Sequence, residues 1–258
     1  MRQHEPIDIR LATGESLRGD LRFTDAPGDH AIVFIHGFAS RRDGEKSVAL
    51  EVACANTGWT FAAIDCRGHG ESDGSMRDLR SSRLLEDLSA LQHYLAERGV
   101  RELFLVGSSM GGFASAWFAL DCDAVKACVM LAPAFHFLER RWNALSEFER
   151  AYWKQAGYVR YKNDYVDTEV GYGLMEERHL FPFEQLVSRW TKPALIFHGL
   201  ADDIVPATDS IDFQHRAAGT EIEVRLYKNG DHRLTAWKDE MAIEACRFFT
   251  KVREKRVD

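Results

Sequence analysis

Short apolar runs and amphipathic stretches take turns along almost the whole chain, and that alternation restricts its fold more than any other feature. From residue 28 onward, segments 31–35, 59–64, 102–106, 125–131, 194–197 and 221–227 read as strands. Helical stretches lie between them at 45–57, 83–98, 110–120 and 208–217. A last helix is marked by Trp237, Met241, Ala245, Phe248 and Val252. Within 83–98, Leu84, Leu88, Leu91 and Leu95 recur at helical spacing, and Gly99 stops the run. Strands that are apolar throughout are buried on both faces. The expected fold is therefore α/β, a mostly parallel twisted sheet with helices on both sides. Before residue 25 the rhythm differs. Ile7, Ile9 and Leu11 alternate, Thr13-Gly14-Glu15 turns, and Leu17, Leu21 and Phe23 follow, the pattern of a hairpin.

The alternation breaks once, between residues 134 and 190. The expected plan is an α/β core of residues 1–133 and 191–258, with a lid inserted at 134–190. A length of 258 residues with 45% hydrophobic side chains suits one such core. The net charge of −7 argues against a nucleic-acid partner, which needs a basic face to displace phosphate counterions. Five Cys without a C-x-x-C pair argue against a disulfide framework or a zinc site, so neither metal nor cofactor is expected. Residues 1–10 contain no apolar run, so no signal peptide is expected and the cytoplasm is the expected compartment. Segment 103–120 is uncharged and nearly long enough to span a bilayer. It also contains Gly107, Gly111 and Gly112, so strand, turn and helix explain it better than membrane insertion.

The turn in that segment carries the chemistry. Gly107-Ser108-Ser109-Met110-Gly111 fits G-x-S-x-G between a strand and a helix. Small neighbours let the chain turn sharply and lift one hydroxyl out of the sheet, above the positive end of the following helix. Ser109 is the candidate nucleophile; the competing reading is a glycine-rich packing turn. A serine hydroxyl needs a base. Of ten His, His232 follows the last strand and precedes the last helix, on the sheet edge where the Ser109 turn emerges. The base needs a carboxylate to orient it, and Asp202 and Asp203 follow strand 194–197 on the same edge. One of the two could instead cap the helix at 208. Acyl transfer also needs donors to a developing oxyanion. The N–H of Met110 is one candidate, and the N–H of Phe38, in the His36-Gly37-Phe38 loop after strand 31–35, is the other. His36 is expected to orient that loop.

Four motifs in order, His36-Gly37-Phe38, Asp65-Cys66-Arg67-Gly68-His69-Gly70-Glu71-Ser72, the Ser109 turn, and 198–206 followed by Gly230-Asp231-His232, resemble the α/β-hydrolase superfamily. The resemblance covers about residues 28–253 and is to its serine esterase and thioesterase branch with a cap. It implies Ser109, Asp202 and His232 as the catalytic set, with Asp202 rather than Asp203 as the acid. Among members, it is most similar to acyl-protein thioesterases, acyl-glucuronide esterases and bacterial feruloyl or cinnamoyl esterases. Cys66 is expected to be a buried small side chain rather than a reactive thiol.

Of the 16 Phe, 7 Tyr and 6 Trp, thirteen fall within 134–190. A lid this aromatic should build an apolar, partly Tyr-lined pocket. Trp142, Tyr165, Tyr172 and Val205 are the candidate substrate contacts. Residues 143–155 read as an amphipathic helix, and 158–172 as a hairpin about Lys162-Asn163-Asp164. The leading functional expectation is a serine carboxylesterase acting on a small-molecule ester of a small, medium or aromatic acid. Acyl thioesterase is the alternative; peptidase, or a hydrolase-like receptor without turnover, ranks lower. Dehalogenation is disfavoured because position 109 is Ser rather than Asp. A homodimer is compatible with the sequence but not readable from it.

Overall fold

The computed structural model describes residues 4–24, 28–162 and 166–257. Strands β1 (His4–Arg10) and β2 (Ser16–Arg22) form the expected antiparallel hairpin. Then come β3 (His30–Ile35), α1 (Glu45–Thr57), β4 (Thr60–Asp65), α2 (Ser81–Glu97), β5 (Glu102–Ser108), α3 (Met110–Asp121) and β6 (Val125–Leu131). The segment between β6 and the next core strand holds α4 (Phe137–Asn143), α5 (Glu147–Ala156), β7 (Tyr158–Lys162), β8 (Asp167–Gly171), α6 (Gly173–Glu176) and α7 (Phe183–Arg189). The chain ends with β9 (Ala194–Gly199), α8 (Thr208–Arg216), β10 (Ile222–Tyr227) and α9 (Lys238–Val257).

Among the described residues, eight strands form one sheet in the order β1-β2-β4-β3-β5-β6-β9-β10. β2 runs antiparallel to β4, and from β4 to β10 every neighbouring pair is parallel. The alternating side chains of each strand feed two apolar layers. Ile32, Phe34, Phe104, Val106 and Phe197 pack against α1 and α9 through Leu50, Cys54, Met241 and Phe249. Val33, Ile35, Leu103 and Leu105 share the opposite layer with Leu84, Leu88, Leu91 and Leu95 of α2 and Phe113 of α3. That placement explains why both faces of these strands are apolar. Segment 103–120 divides between β5 and α3, and among the described residues no helix is long and apolar enough to cross a membrane. Cys54, Cys66, Cys128 and Cys246 are buried, Cys122 is half-buried, and all five are free.

The inserted segment departs from expectation at its first helices. The helix expected over 143–155 runs as α5 and starts only after Ser146, and a separate short helix, α4, precedes it. The Ser146 side chain accepts from the Glu149 N–H while the Glu149 carboxylate accepts from the Ser146 N–H. This reciprocal cap satisfies donors at the start of α5 and sets its boundary there. β7 and β8 form the expected hairpin; its turn, with Tyr165, lies outside the described residues. The inserted segment is tied to the core by Glu177, whose carboxylate accepts from the Ser82 N–H and hydroxyl, and by Phe135 stacked 4.6 Å from Phe213.

Candidate active site

β5 passes into α3 through Ser109, whose φ of 54° and ψ of −114° are unfavourable for a residue with a side chain. The turn survives because its surroundings hold it. The Ser109 N–H donates to the Leu131 carbonyl at 2.9 Å, and the Ser109 carbonyl accepts from the Phe113 and Ala134 N–H groups. Gly111 is required here: a Cβ on it would lie 2.2 Å from the Ile35 carbonyl oxygen. The close approach lets α3 start directly against the end of β3.

The loops after β9 and β10 are clamped together by a second close approach. A Cβ on Gly199 would lie 2.1 Å from the Gly230 carbonyl oxygen, which itself accepts from the Ala201 N–H at 2.9 Å. Through this clamp residues far apart in sequence meet. His232 Nε2 lies 3.0 Å from Ser109 Oγ, and His232 Nδ1 lies 2.7 Å from Asp202 Oδ2. Asp202 Oδ1 accepts from the Ile204 and Val205 N–H groups at 2.9 and 2.8 Å. Burial would raise the Asp202 pKa, but hydrogen bonds from His198 and His232, the His232 charge and the Val205 N–H outweigh it. The carboxyl is held well below the usual carboxylate range. An ionised Asp202 accepts the Nδ1 proton, which leaves Nε2 free to receive one from Ser109. Asp203 is exposed, and the residue that caps α8 is Ala207, without a side-chain bond, so neither aspartate serves as that cap.

Two buried histidines brace the site. His36 Nε2 accepts from the Cys66 N–H at 3.0 Å, so its Nδ1 carries the proton and donates to the Gly37 carbonyl at 2.8 Å. Burial lowers its pKa and keeps it neutral, and it ties the Phe38 loop to the chain after β4. Burial also pushes the Cys66 thiol well up, in keeping with an inert side chain. His198 was not singled out from sequence. Its Nε2 lies 2.9 Å from the Val205 carbonyl and 3.2 Å from Asp202 Oδ2, so it donates, while Nδ1 faces the Ser210 hydroxyl at 2.7 Å. Lys46 was also missed. Its Nζ donates to Ser108 Oγ at 2.7 Å, and burial, with the Arg233 charge, lowers its pKa to about 8. His198 opens the 198–206 motif, which gives it no role of its own, and no local pattern marks Lys46; both acquire their contacts only in the folded chain.

A cavity of about 300 Å³ opens beside Ser109. Phe38 and Met110 are both on its wall, and as the first residue of α3 Met110 has an N–H that helix geometry leaves without an intrahelical acceptor. The remaining wall is mostly apolar: Ala134, Phe137, Trp153, Val159, Tyr161, Val170, Leu174, Met175, Ile204 and Val205, with Arg140 and Arg141. Of the candidate substrate contacts, Val205 is on this wall. Trp142 and Tyr172 are not on this wall. The Trp142 ring packs under the guanidinium groups of Arg178 and Arg150, 4.1 and 4.9 Å from its centre, and Tyr172 packs near Trp142 and Trp153. Sequence-adjacent positions on a helix point about 100° apart, so α4 directs Arg140 and Arg141 to the cavity and Trp142 into the lid's own packing. Alternation along β7 was the available signal for Val159 and Tyr161, which face inward while their neighbours are exposed. A neighbouring cavity of about 470 Å³ shares Arg141, Trp153 and Val159 with this one and is otherwise lined by residues such as Phe148, Tyr152 and Arg160; it includes none of the three clustered residues.

A family described as serine aminopeptidase, S33, matches residues 26–168, more than half of the chain. The chain belongs to this family of α/β-hydrolases. The mouse protein named palmitoyl-protein thioesterase ABHD10, mitochondrial, is 30% identical over 220 residues, which cover 79% of this chain and 69% of that protein. A hydrolase from Agrobacterium vitis S4 superposes with a TM-score of 0.84 at 23% identity, covering 96% of this chain and 99% of the other. Est1E from Butyrivibrio proteoclasticus, solved with ferulic acid, also gives 0.84, at 21% identity over 96% and 99% of the two chains. At these identities the structural likeness shows a common fold.

Proposed function

We propose that this hydrolase is a serine carboxylesterase that cleaves esters of small to medium acyl or aromatic acids through an acyl-enzyme. The observation that carries the reading is the continuous chain from Ser109 Oγ through His232 to a buried Asp202, at 3.0 and 2.7 Å, opening on a mostly apolar cavity. His232 Nε2 takes the hydroxyl proton as Ser109 Oγ attacks the ester carbonyl. The negative charge on the tetrahedral oxygen is met by the Phe38 and Met110 N–H groups. His232 then gives its proton to the departing alcohol. It next deprotonates a water that attacks the acyl-enzyme, releasing the acid and restoring Ser109. A cavity of about 300 Å³ is at the small end of ligand sites, which favours short and aromatic acids.

Thioester cleavage is the second reading, favoured by the relatives named as palmitoyl-protein thioesterases. The same three residues perform it, since only the leaving atom changes. The deciding experiment compares kcat/KM for an aryl ester panel including hydroxycinnamates, for acyl thioesters of increasing chain length, and for an aminoacyl amide. The proposal expects esters to lead and Ser109→Ala to abolish turnover while remaining folded. Full activity in folded Ser109→Ala would refute it.

A further inference from the structure

Two arginines stand on a mostly apolar cavity wall, and the chemistry of ester cleavage gives them no task. Arg140 and Arg141 are consecutive residues of α4, and both line the cavity that contains Ser109. Arg140 is anchored: its Nη2 donates to both carboxylate oxygens of Asp209, at 3.0 and 2.9 Å. Its Nη1 is buried and, among the described residues, has no hydrogen-bond partner. The Asp209 carboxylate fixes this guanidinium and offsets part of its charge, and Nη1, with almost no accessible surface, is a donor that a ligand reaches only where the wall yields to it. The Arg141 guanidinium lies 5.6 Å from the Tyr161 ring centre and 5.9 Å from that of Trp153, two further wall residues. The rings themselves carry no opposing charge, and the exposed Glu149 carboxyl, whose pKa the Arg141 charge helps to lower, is the acidic group that feels this cation.

The position of the pair also has a side. In ester cleavage the leaving oxygen must face His232 Nε2, which protonates it. Ser109, Phe38 and Met110 are on the cavity wall, whereas His232 is not. A cavity walled by Ser109, Phe38 and Met110 but not by His232 suits the acyl side of the reacting carbonyl. We propose that it selects esters or thioesters whose acyl part ends in a carboxylate, a half-ester of a dicarboxylic acid. The apolar wall would take the hydrocarbon and Arg140 with Arg141 the terminal anion. This rests on the esterase reading and adds the class of acid to it. Buried apolar wall and paired charge act together here, because a carboxylate entering such a cavity is costly unless it meets donors of opposite charge.

The binding test is made in Ser109→Ala protein, so it does not depend on turnover. Octanamide and the monoamide of octanedioic acid have acyl chains of equal length, one ending in a methyl group and the other in a carboxylate. The proposal expects the anionic amide to bind at least tenfold more tightly by calorimetry. Added Arg141→Gln should cut that preference about tenfold, and Arg140→Gln should do likewise. Arg141 makes no ion pair among the described residues, so its variant tests the subsite if the Arg140 variant fails to fold. Equal affinity of the two amides, or a preference unchanged by Arg141→Gln, overturns the proposal. With Ser109 intact, the matching nitrophenyl esters separate the two levels of inference. Preferential binding without hydrolysis of either ester refutes the esterase reading alone. Hydrolysis of both at equal kcat/KM refutes the acid preference alone.

Discussion

Replacing Asp202 by Asn tests the arrangement at its most constrained point. Asn keeps the shape and can keep the carbonyl oxygen where Oδ1 accepts from the Ile204 and Val205 N–H groups. The amide nitrogen then occupies the Oδ2 position, 2.7 Å from His232 Nδ1 and 3.2 Å from His198 Nε2. An amide N–H there donates to Nδ1, which moves the imidazole proton to Nε2, against Ser109 Oγ. That tautomer cannot take the serine proton. The expected loss in kcat is about 10⁴-fold, or about 5.4 kcal/mol of transition-state stabilisation. The same nitrogen faces the donating His198 Nε2, so a donor meets a donor inside a buried site. A loss of about 1–3 kcal/mol of stability should accompany the kinetic defect. Nitrophenyl ester kinetics report the first effect and urea denaturation the second. A folded Asp202→Asn protein within tenfold of the parent kcat would refute the tautomer argument and with it the role given to Asp202.

The depressed Asp202 pKa should also contribute stability that is full above the unfolded value of about 3.9 and lost as pH falls from there toward the folded value. Thermal melts between pH 2 and 7 should therefore show a shallower acid decline in Asp202→Asn than in the parent, and parallel curves would contradict this. Ser109→Gly should abolish turnover yet melt about 2–4 °C above Ser109→Ala, because glycine relieves the positive φ at 109; identical melting temperatures would mean the turn stores no strain. Gly111→Ala should cost about 1–3 kcal/mol or more in urea denaturation, since its Cβ would meet the backbone oxygen of Ile35 rather than a movable side chain. Ser146→Ala should cost about 1 kcal/mol by removing the α5 cap, measured in the same way.

The sheet and the nucleophile turn were legible in the chain because both are local patterns. Apolar runs such as Val125–Leu131 are buried on one side in the layer of α2 and α3 and on the other in that of α1 and α9, and the strand boundaries move by only a residue or two. Ser109 needs small neighbours within a few residues, and those are visible in any reading of 107–112. Order along the chain also placed the loops of Asp202 and His232 on one edge, since parallel strands must all end there. The lid was less legible. Its helices are short, and the boundary at Ser146 depends on a reciprocal cap that a period-based reading passes over.

What the sequence determined by itself was thus the α/β plan, the turn that presents Ser109, and the chain order of the groups around it. Only the tertiary structure decided which side chains surround the substrate. Trp142 and Tyr172 are as aromatic as Tyr161, but their places on α4 and at the start of α6 send them into packing within the inserted segment, and α4 brings Arg140 and Arg141 to the cavity instead. It likewise decided the parts of Lys46, whose partner Ser108 ends another strand, and of His198, whose partners Asp202, Val205 and Ser210 meet it only when the loop after β9 folds back. The physical reason is range. Backbone propensity and burial periodicity act over a few residues, so sequence encodes them directly. A cavity wall is assembled from elements that meet only when the chain has closed, and its charge and shape exist only there.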